Sequence, residues 1–350
     1  MPRENRALQQ QVASAIEELE SLREPLTSDM SIEALERFET SWKEVLRELL
    51  RAPLTGDEAR TVAAFQRDVG LLPKYKSYAI KASSPLGYSV FFQEPGKGFS
   101  FQQHRHHKIE IFHVLEAAPE SFALLCSLAE WNADYEPGAF ARWLEGAENP
   151  VYERWRIPLV AGDVICLEKT GIVHSVIGCT LEEFATVSTD MVDRLHDQNS
   201  GAPVPRAYRR EKVLQLLQET PSPAESRQIA GRKRLPLQRQ GFPGGEIVTL
   251  GEVQDLGASR IRLESGRRSL LLRSGDRAVV LFASRGDADL LLGTAAELAH
   301  GEPPSLKLPR GCAALLPPGM SYKVAALGEE AEISQHSILP GVALVEEARR

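Results

Sequence analysis

Apolar positions recur with two different periods along this chain, and the change of period divides it. Leu8, Val12, Ile16, Leu19 and Leu22 fall on one face of a helix, a pattern that Pro25 ends. A second stripe of Ile32, Leu35, Phe38, Trp42, Val45, Leu46 and Leu49 follows Ser28 and Ser31, either of which suits an N-cap, and runs to Pro53. Val62, Phe65 and Val69 mark a third, shorter helix with Gly70 as its stop. Residues 1–72 therefore read as a helical segment whose apolar faces pack against the domain that follows, rather than as a coiled partner surface.

From Tyr75 the period shortens. Tyr78-Ala-Ile-Lys, Tyr88-Ser-Val-Phe-Phe and the runs after them are β-rich, short and separated by turn residues, as in a sandwich or barrel. A first β domain is expected over 73–218. Inside it, residues 130–155 carry Trp131, Tyr135, Phe140, Trp143, Tyr152 and Trp155. That insertion is either a lid of rings over the mouth of the barrel or a helix on its outside. Residues 219–245, rich in Pro, Gly and charge, read as a linker, and 246–350 as a second β domain with strand-like Ser269-Leu-Leu-Leu-Arg, Ala278-Val-Val-Leu-Phe and Ala288-Asp-Leu-Leu-Leu-Gly.

The candidate chemistry is concentrated in Gly98-Phe-Ser-Phe-Gln-Gln-His104-Arg-His106-His107-Lys108-Ile-Glu110-Ile-Phe-His113. On an extended chain His104, His106, Lys108 and Glu110 share one side, and Arg105, His107 and Ile109 the other. Two imidazoles and a carboxylate on one inner face can hold a divalent metal, and His174, in Gly162-Asp-Val-Ile-Cys-Leu-Glu-Lys-Thr-Gly-Ile-Val-His174, is the best further nitrogen donor. His107 reads as structural.

These residues resemble the motifs of the cupin superfamily. Gly98, His104, His106 and Glu110 fit its first motif without a gap. Gly162, Gly171 and His174 fit the second with a strand one residue longer, Lys169 for its proline and Gly178 for its Asn; Ala117 stands where the first motif ends in Gly. Further on, Gly311-Cys-Ala-Ala-Leu-Leu-Pro317-Pro-Gly319-Met-Ser-Tyr322 reproduces the second motif with its Pro-x-Gly turn and a tyrosine at the histidine position, and no His-x-His precedes it. The second half is thus similar to the metal-free C-terminal cupin of type I phosphomannose isomerases. The segment from Glu183 to Asp197, with its Val-Ser-Thr strand and Asp-Arg-Leu-x-Asp element, looks like the exit from the second motif in sugar-processing cupins, although turn and capping roles would also explain its aspartates. The resemblance implies a mainly β protein of two cupin jelly-roll barrels behind an N-terminal helical segment, with metal ligands His104, His106, Glu110 and His174.

Composition narrows the function classes. A net charge of -7 opposes a general nucleic-acid binder, and the compact basic run Arg232-Lys233-Arg234 reads as part of a solvated connection. Cys126, Cys166, Cys179 and Cys312 lack paired spacing, which fits a reducing cytoplasm better than a disulfide framework. No signal-like apolar core follows the N-terminus and no run approaches the ~18 residues of a membrane helix, so no membrane association is expected. A homodimer is expected on family analogy alone.

Three imidazoles and a carboxylate leave positions open on Fe, Mn, Ni or Zn, which suits catalysis. One chemistry is isomerisation or epimerisation of a small, sugar-like hydroxy-carbonyl substrate, with Lys108 or Glu168 as acid/base. The alternatives are an Fe(II)-dependent dioxygenase and a non-catalytic small-molecule binding bicupin.

Overall fold

The computed structural model describes residues 70–76, 79–84, 86–98, 101–104, 108–136, 138–167, 172–186, 192–196, 227–230, 233–253, 256–301 and 303–338, with isolated positions between 14 and 67 and at 215. Positions 14, 17, 60, 63, 64 and 67 are helical; the rest of the expected helical stripes lies outside the described residues. No helix among the described residues is long and apolar enough to cross a membrane.

The protein is mainly β. The first sheet contains β1 (Leu72–Lys76), β2 (Ala79–Ser84), β3 (Tyr88–Phe92), β4 (Phe101–His104), β5 (Glu110–Ser127), β6 (Arg156–Pro158), β7 (Asp163–Leu167), β8 (Ile172–Ala185), β9 (Val192–His196), β10 (Arg227–Ala230) and β11 (Lys233–Pro236). Its order is β1-β2-β3-β8-β5-β7-β10-β11, with β4 on β8 and β9, and β6 on β5. The second sheet contains β12 (Gln238–Phe242), β13 (Gly245–Val253), β14 (Leu256–Leu263), β15 (Leu272–Arg273), β16 (Ala278–Gly293), β17 (Ser305–Leu308), β18 (Ala313–Leu316) and β19 (Ser321–Ile338), ordered β12-β13-β14-β19-β16-β17 with β15 on β19 and β18 on β16.

Alternation sends neighbouring side chains of the central strands into different cores. In the first unit Phe91, Phe112, Val114, Ile165, Leu167, Val176 and Leu181 point inward, while their neighbours Val90, Ile111, Val164 and Phe184 join Leu250, Ala258, Val280, Phe282 and Leu315 of the second unit in one shared core. Tyr88 stacks on Phe282 across that boundary at 4.2 Å between ring centroids. The second unit has its own interior around Ile261, Leu290, Leu316, Tyr322 and Ile333, where Ala63 from the N-terminal segment also packs. The chain enters β1 across the second unit: Leu71 N donates to Gly311 O at 2.6 Å.

The linker expected over 219–245 is corrected where it is described. Strands β10 and β11 pair antiparallel on the edge of the first sheet, β10 running parallel to β7, and β12 begins the second sheet after Leu237 alone. The charge that suggested a solvated connection belongs to exposed edge strands. Arg234, from the basic run, is held by Asp163 Oδ1 and Oδ2 at 2.7 and 3.0 Å.

The aromatic insertion forms short helices, α1 (Leu128–Asp134), α2 (Ala139–Leu144) and α3 (Pro150–Trp155), started by a Ser127–Glu130 capping box and an Asn149 cap. Trp131, Phe140, Trp143, Tyr152 and Trp155 pack with Phe101, Val173 and Ile177. Because Val173 lies on the face opposite His174, the rings cover the outside of the sheet rather than the mouth of the barrel, and the outer-helix alternative holds.

Two outcomes follow from this packing. Phe140 is fully buried among rings, so Phe140→Ala is expected to cost about 3–5 kcal/mol in urea unfolding. His336 is buried against the Leu86 carbonyl, Nε2 to O 2.8 Å, and burial pulls its pKa down to about 4 despite that bond. An unfolded chain, with an ordinary value near 6.5, takes up a proton over that interval that the fold refuses. Stability contributed above pH ~6.5 is therefore lost as pH falls toward about 4, by about 3 kcal/mol, and His336→Asn should flatten the urea-midpoint profile there.

Candidate metal centre

The histidine stretch is not one strand. β4 ends at His104 and β5 begins at Glu110, with Lys108 and Ile109 in neither. Gly98, the glycine of the first motif, forms an isolated bridge with Ile177, and a Cβ there would lie 2.2 Å from Val176 O, so β8 can approach only a glycine. Gly162 turns the chain into β7 with a φ of 89°, its N–H donating to Val114 O at 2.8 Å.

Strand β8 pairs with β4 at Gln102 and His174, which brings His174 to the other two donors. His104 Nε2 lies 2.9 Å and His174 Nε2 3.3 Å from Glu110 Oε2, and the two imidazole centroids are 5.2 Å apart. All three residues are buried, at 4%, 0% and 1% exposure for His104, His174 and Glu110. They form the one group of three or more His, Cys, Asp or Glu donors with metal-site spacing among the described residues, with donor atoms within 4.8 Å of one another. Donors on a shared ion with bonds of about 2.0–2.2 Å stand about 3.0–3.5 Å apart, so the set fits a divalent cation with little movement.

The electrostatics support the same fit. Burial pushes the Glu110 carboxyl upward, but the Lys108 ammonium and His104, with hydrogen bonds from both imidazoles, outweigh it and hold the group well below the usual carboxylate range. An ionised carboxylate beside imidazole nitrogens is the form that ligates metal. His174 Nδ1 is 3.1 Å from Ile172 O; with a proton held there instead of on Nε2, Nε2 keeps its lone pair for a metal rather than a hydrogen for Glu110.

Of the expected site residues, His104, Glu110 and His174 come together, and Lys108 places Nζ 2.5 Å from Glu110 Oε1. His106, His107 and Glu168 lie outside the described residues. Two features escaped the sequence reading. Gln102 shares the inner face of β4 with His104, its side-chain amide Nε2 3.2 Å from His174 Nε2. Amide orientation is interchangeable at such a site, so Gln102 can offer its oxygen to a cation there. Its position two residues before His104 on a strand was the available signal. Glu183, 5% exposed, shares the inward face of β8 with Leu181, and Lys81 Nζ stands 3.9 Å from it, an ion pair without a hydrogen bond. Nothing in the sequence spacing links residues 81 and 183; only the register β2–β3–β8 does.

In the second unit Tyr322 occupies the histidine position of the repeated motif, is buried, and donates its hydroxyl to Gln335 Oε1 at 2.7 Å. Burial pushes its phenol well up, so the group stays neutral.

No protein-family model and no curated protein matches this chain. Among solved structures it is similar to Bacillus subtilis oxalate decarboxylase at pH 4.6 (11% identity, TM-score 0.48, 77% of this chain and 74% of that one). It is also similar to procruciferin, the 11S globulin of Brassica napus (11%, 0.47, 78% and 85%), and to recombinant pro-11S globulin of pumpkin (11%, 0.49, 77% and 84%). With TM-scores below 0.5 at 11% identity, these likenesses carry no weight on activity.

Proposed function

We propose that this chain is a metal-dependent enzyme of two cupin-type units whose first unit isomerises or epimerises a small, sugar-like hydroxy-carbonyl compound. The observation that carries the reading is the meeting of His104, Glu110 and His174 on one buried inner face. A divalent Fe, Mn, Ni or Zn ion held there would act as a Lewis acid toward adjacent substrate oxygens and raise the acidity of the neighbouring C–H.

The remaining groups suit a proton transfer. Lys108 is placed to hold or return a proton beside the carbonyl end of a substrate. The Glu183 carboxylate, ion-paired but with hydrogen-bonding capacity to spare, suits a substrate hydroxyl, and Lys81 beside it suits a carbonyl or anionic oxygen. The sugar-like character of the substrate rests on these groups and on the resemblance of the segment after His174 to sugar-processing cupins.

One observation favours a second reading. The described donor set is two histidines and one carboxylate, the arrangement that holds Fe(II) in many oxygenases with positions left open.

Metal analysis of protein purified without chelator tests the centre: a bound divalent ion is expected, and His174→Ala should weaken binding by more than the about 10–100-fold carried by outer partners of a metal site. Unchanged metal content in that variant would remove the assignment. With the iron form and a panel of aldoses, ketoses and hydroxy acids, deuterium wash-in from solvent without oxygen uptake is expected; oxygen consumption coupled to a substrate would instead select the oxygenase.

A further inference from the structure

Between the two units, within a largely apolar boundary, lies a cluster of charges that the metal chemistry does not use. Glu182 on β8 is fully buried and accepts from Tyr88 Oη at 2.5 Å and Ser334 Oγ at 3.0 Å, with His113 Nδ1 at 3.1 Å. Arg260 on β14 of the second unit, 2% exposed, is ion-paired with the same carboxylate and lies 3.3 Å from His113 Nδ1. Its other arm reaches Glu332 Oε1 at 2.8 Å. One carboxylate thus ties β3, β5, β8, β14 and β19 together.

The place of this tie along the strands matters more than its strength. His113 and Glu182 face each other directly in the β5–β8 pairing, in the same unbroken run of register that begins with Glu110 opposite Ala185. The run ends one residue beyond, where Val114 pairs with Leu181 and Glu116 with Thr180, leaving Leu115 as an extra residue on β5. A bulge of this kind can migrate. Were it to move past Glu110 to the start of β5, residues 110–114 would slip by one and exchange faces, turning the carboxylate out of the unit's interior. Apolar packing alone resists this weakly, because Ile109, Ile111, Phe112, Val114 and Leu115 find apolar surroundings on either side of β5. His113 resists it, because only one face offers Glu182 and Arg260.

We propose that Arg260, supplied by the second unit, is a positioning residue for the metal centre of the first: through Glu182 and His113 it fixes the register that keeps Glu110 beside His104 and His174. This rests on the metal-centre reading above. It also gives the second unit, which holds no comparable donor group among its described residues, a part in the first unit's chemistry.

The test is Co²⁺ and Zn²⁺ titration of the full chain, by calorimetry and by the visible spectrum of the cobalt form, at a temperature where circular dichroism shows each variant folded. Arg260→Met is expected to weaken metal binding at least about ten-fold and alter the cobalt spectrum, with Arg260→Lys recovering most of the affinity. Phe140→Ala, destabilised but altered on the outer face, should bind within two-fold of the unsubstituted protein, which separates positioning from loss of stability. If Arg260→Met strands Glu182 and does not fold, the double variant Glu182→Gln/Arg260→Met, which leaves no lone charge, is read in its place. Binding within two-fold with an unchanged cobalt spectrum in either variant overturns the proposal. No metal binding by the unsubstituted protein would be a different result, removing the centre itself.

Discussion

The first six residues of β5 and nearly all of β8 are buried on both faces, and that constraint governs the rest of the molecule. In a strand with one face in water, a misplaced polar residue can be solvated; here every side chain of Glu110–Leu115 and of Val173–Ala185 must be satisfied by protein. The even positions 110, 112 and 114 serve the interior of the first unit and the odd positions 111, 113 and 115 serve the boundary with the second. The same two-residue period therefore builds the candidate centre and the junction between units, and neither can change register without the other.

The boundary is held by apolar area and by the Glu182 cluster, which act in different ways. Burial of Tyr88, Phe184, Leu250, Val280 and Phe282 supplies driving force but little choice of register. Burying Glu182, His113 and Arg260 costs desolvation that their mutual attraction roughly offsets, so the cluster adds little net stability while penalising every arrangement that separates its members. Burial pushes the Glu182 carboxyl up, and Arg260 with the hydrogen bonds of His113 and Tyr88 brings it down to about 2, so it stays charged wherever the fold persists. The same burial pulls the His113 imidazole below its ordinary value.

Much of this was legible in the chain and some was not, for identifiable reasons. The switch from helical to alternating period marked the start of the β structure near residue 73, and the spacing of Gly98, His104, Glu110 and His174 marked the centre, because close approach and ligand chemistry leave residue-type signatures. The aromatic insertion was visible but its side was not, since rings at helical spacing pack equally well over a mouth or a wall; only the alternation of Val173 and His174 decides it. The 219–245 stretch misled because exposed edge strands carry the charge and proline of a linker. Gln102 was marked only by its place two residues before His104, and Lys81, Arg260 and Glu183 are joined to partners across the fold that a single sequence, which does not disclose register, cannot pair with them.

In the second unit the repeated motif carries a tyrosine where the first carries His174. Pro317 and Gly319 retain the turn, Gly319 with a φ of 83°, and Tyr322 fills the histidine position with an aromatic ring whose hydroxyl closes on Gln335. The glycines and the turn specify backbone path whatever side chain follows them, and at residue 322 a buried, neutral tyrosine supplies packing. The unit's opposite face carries Leu250, Ala258, Val280, Phe282 and Leu315 into the shared core, and Arg260 into the charged cluster. The described residues of the second unit thus meet the first through that outer surface, and the cost of losing it would fall on the strands that carry the candidate centre.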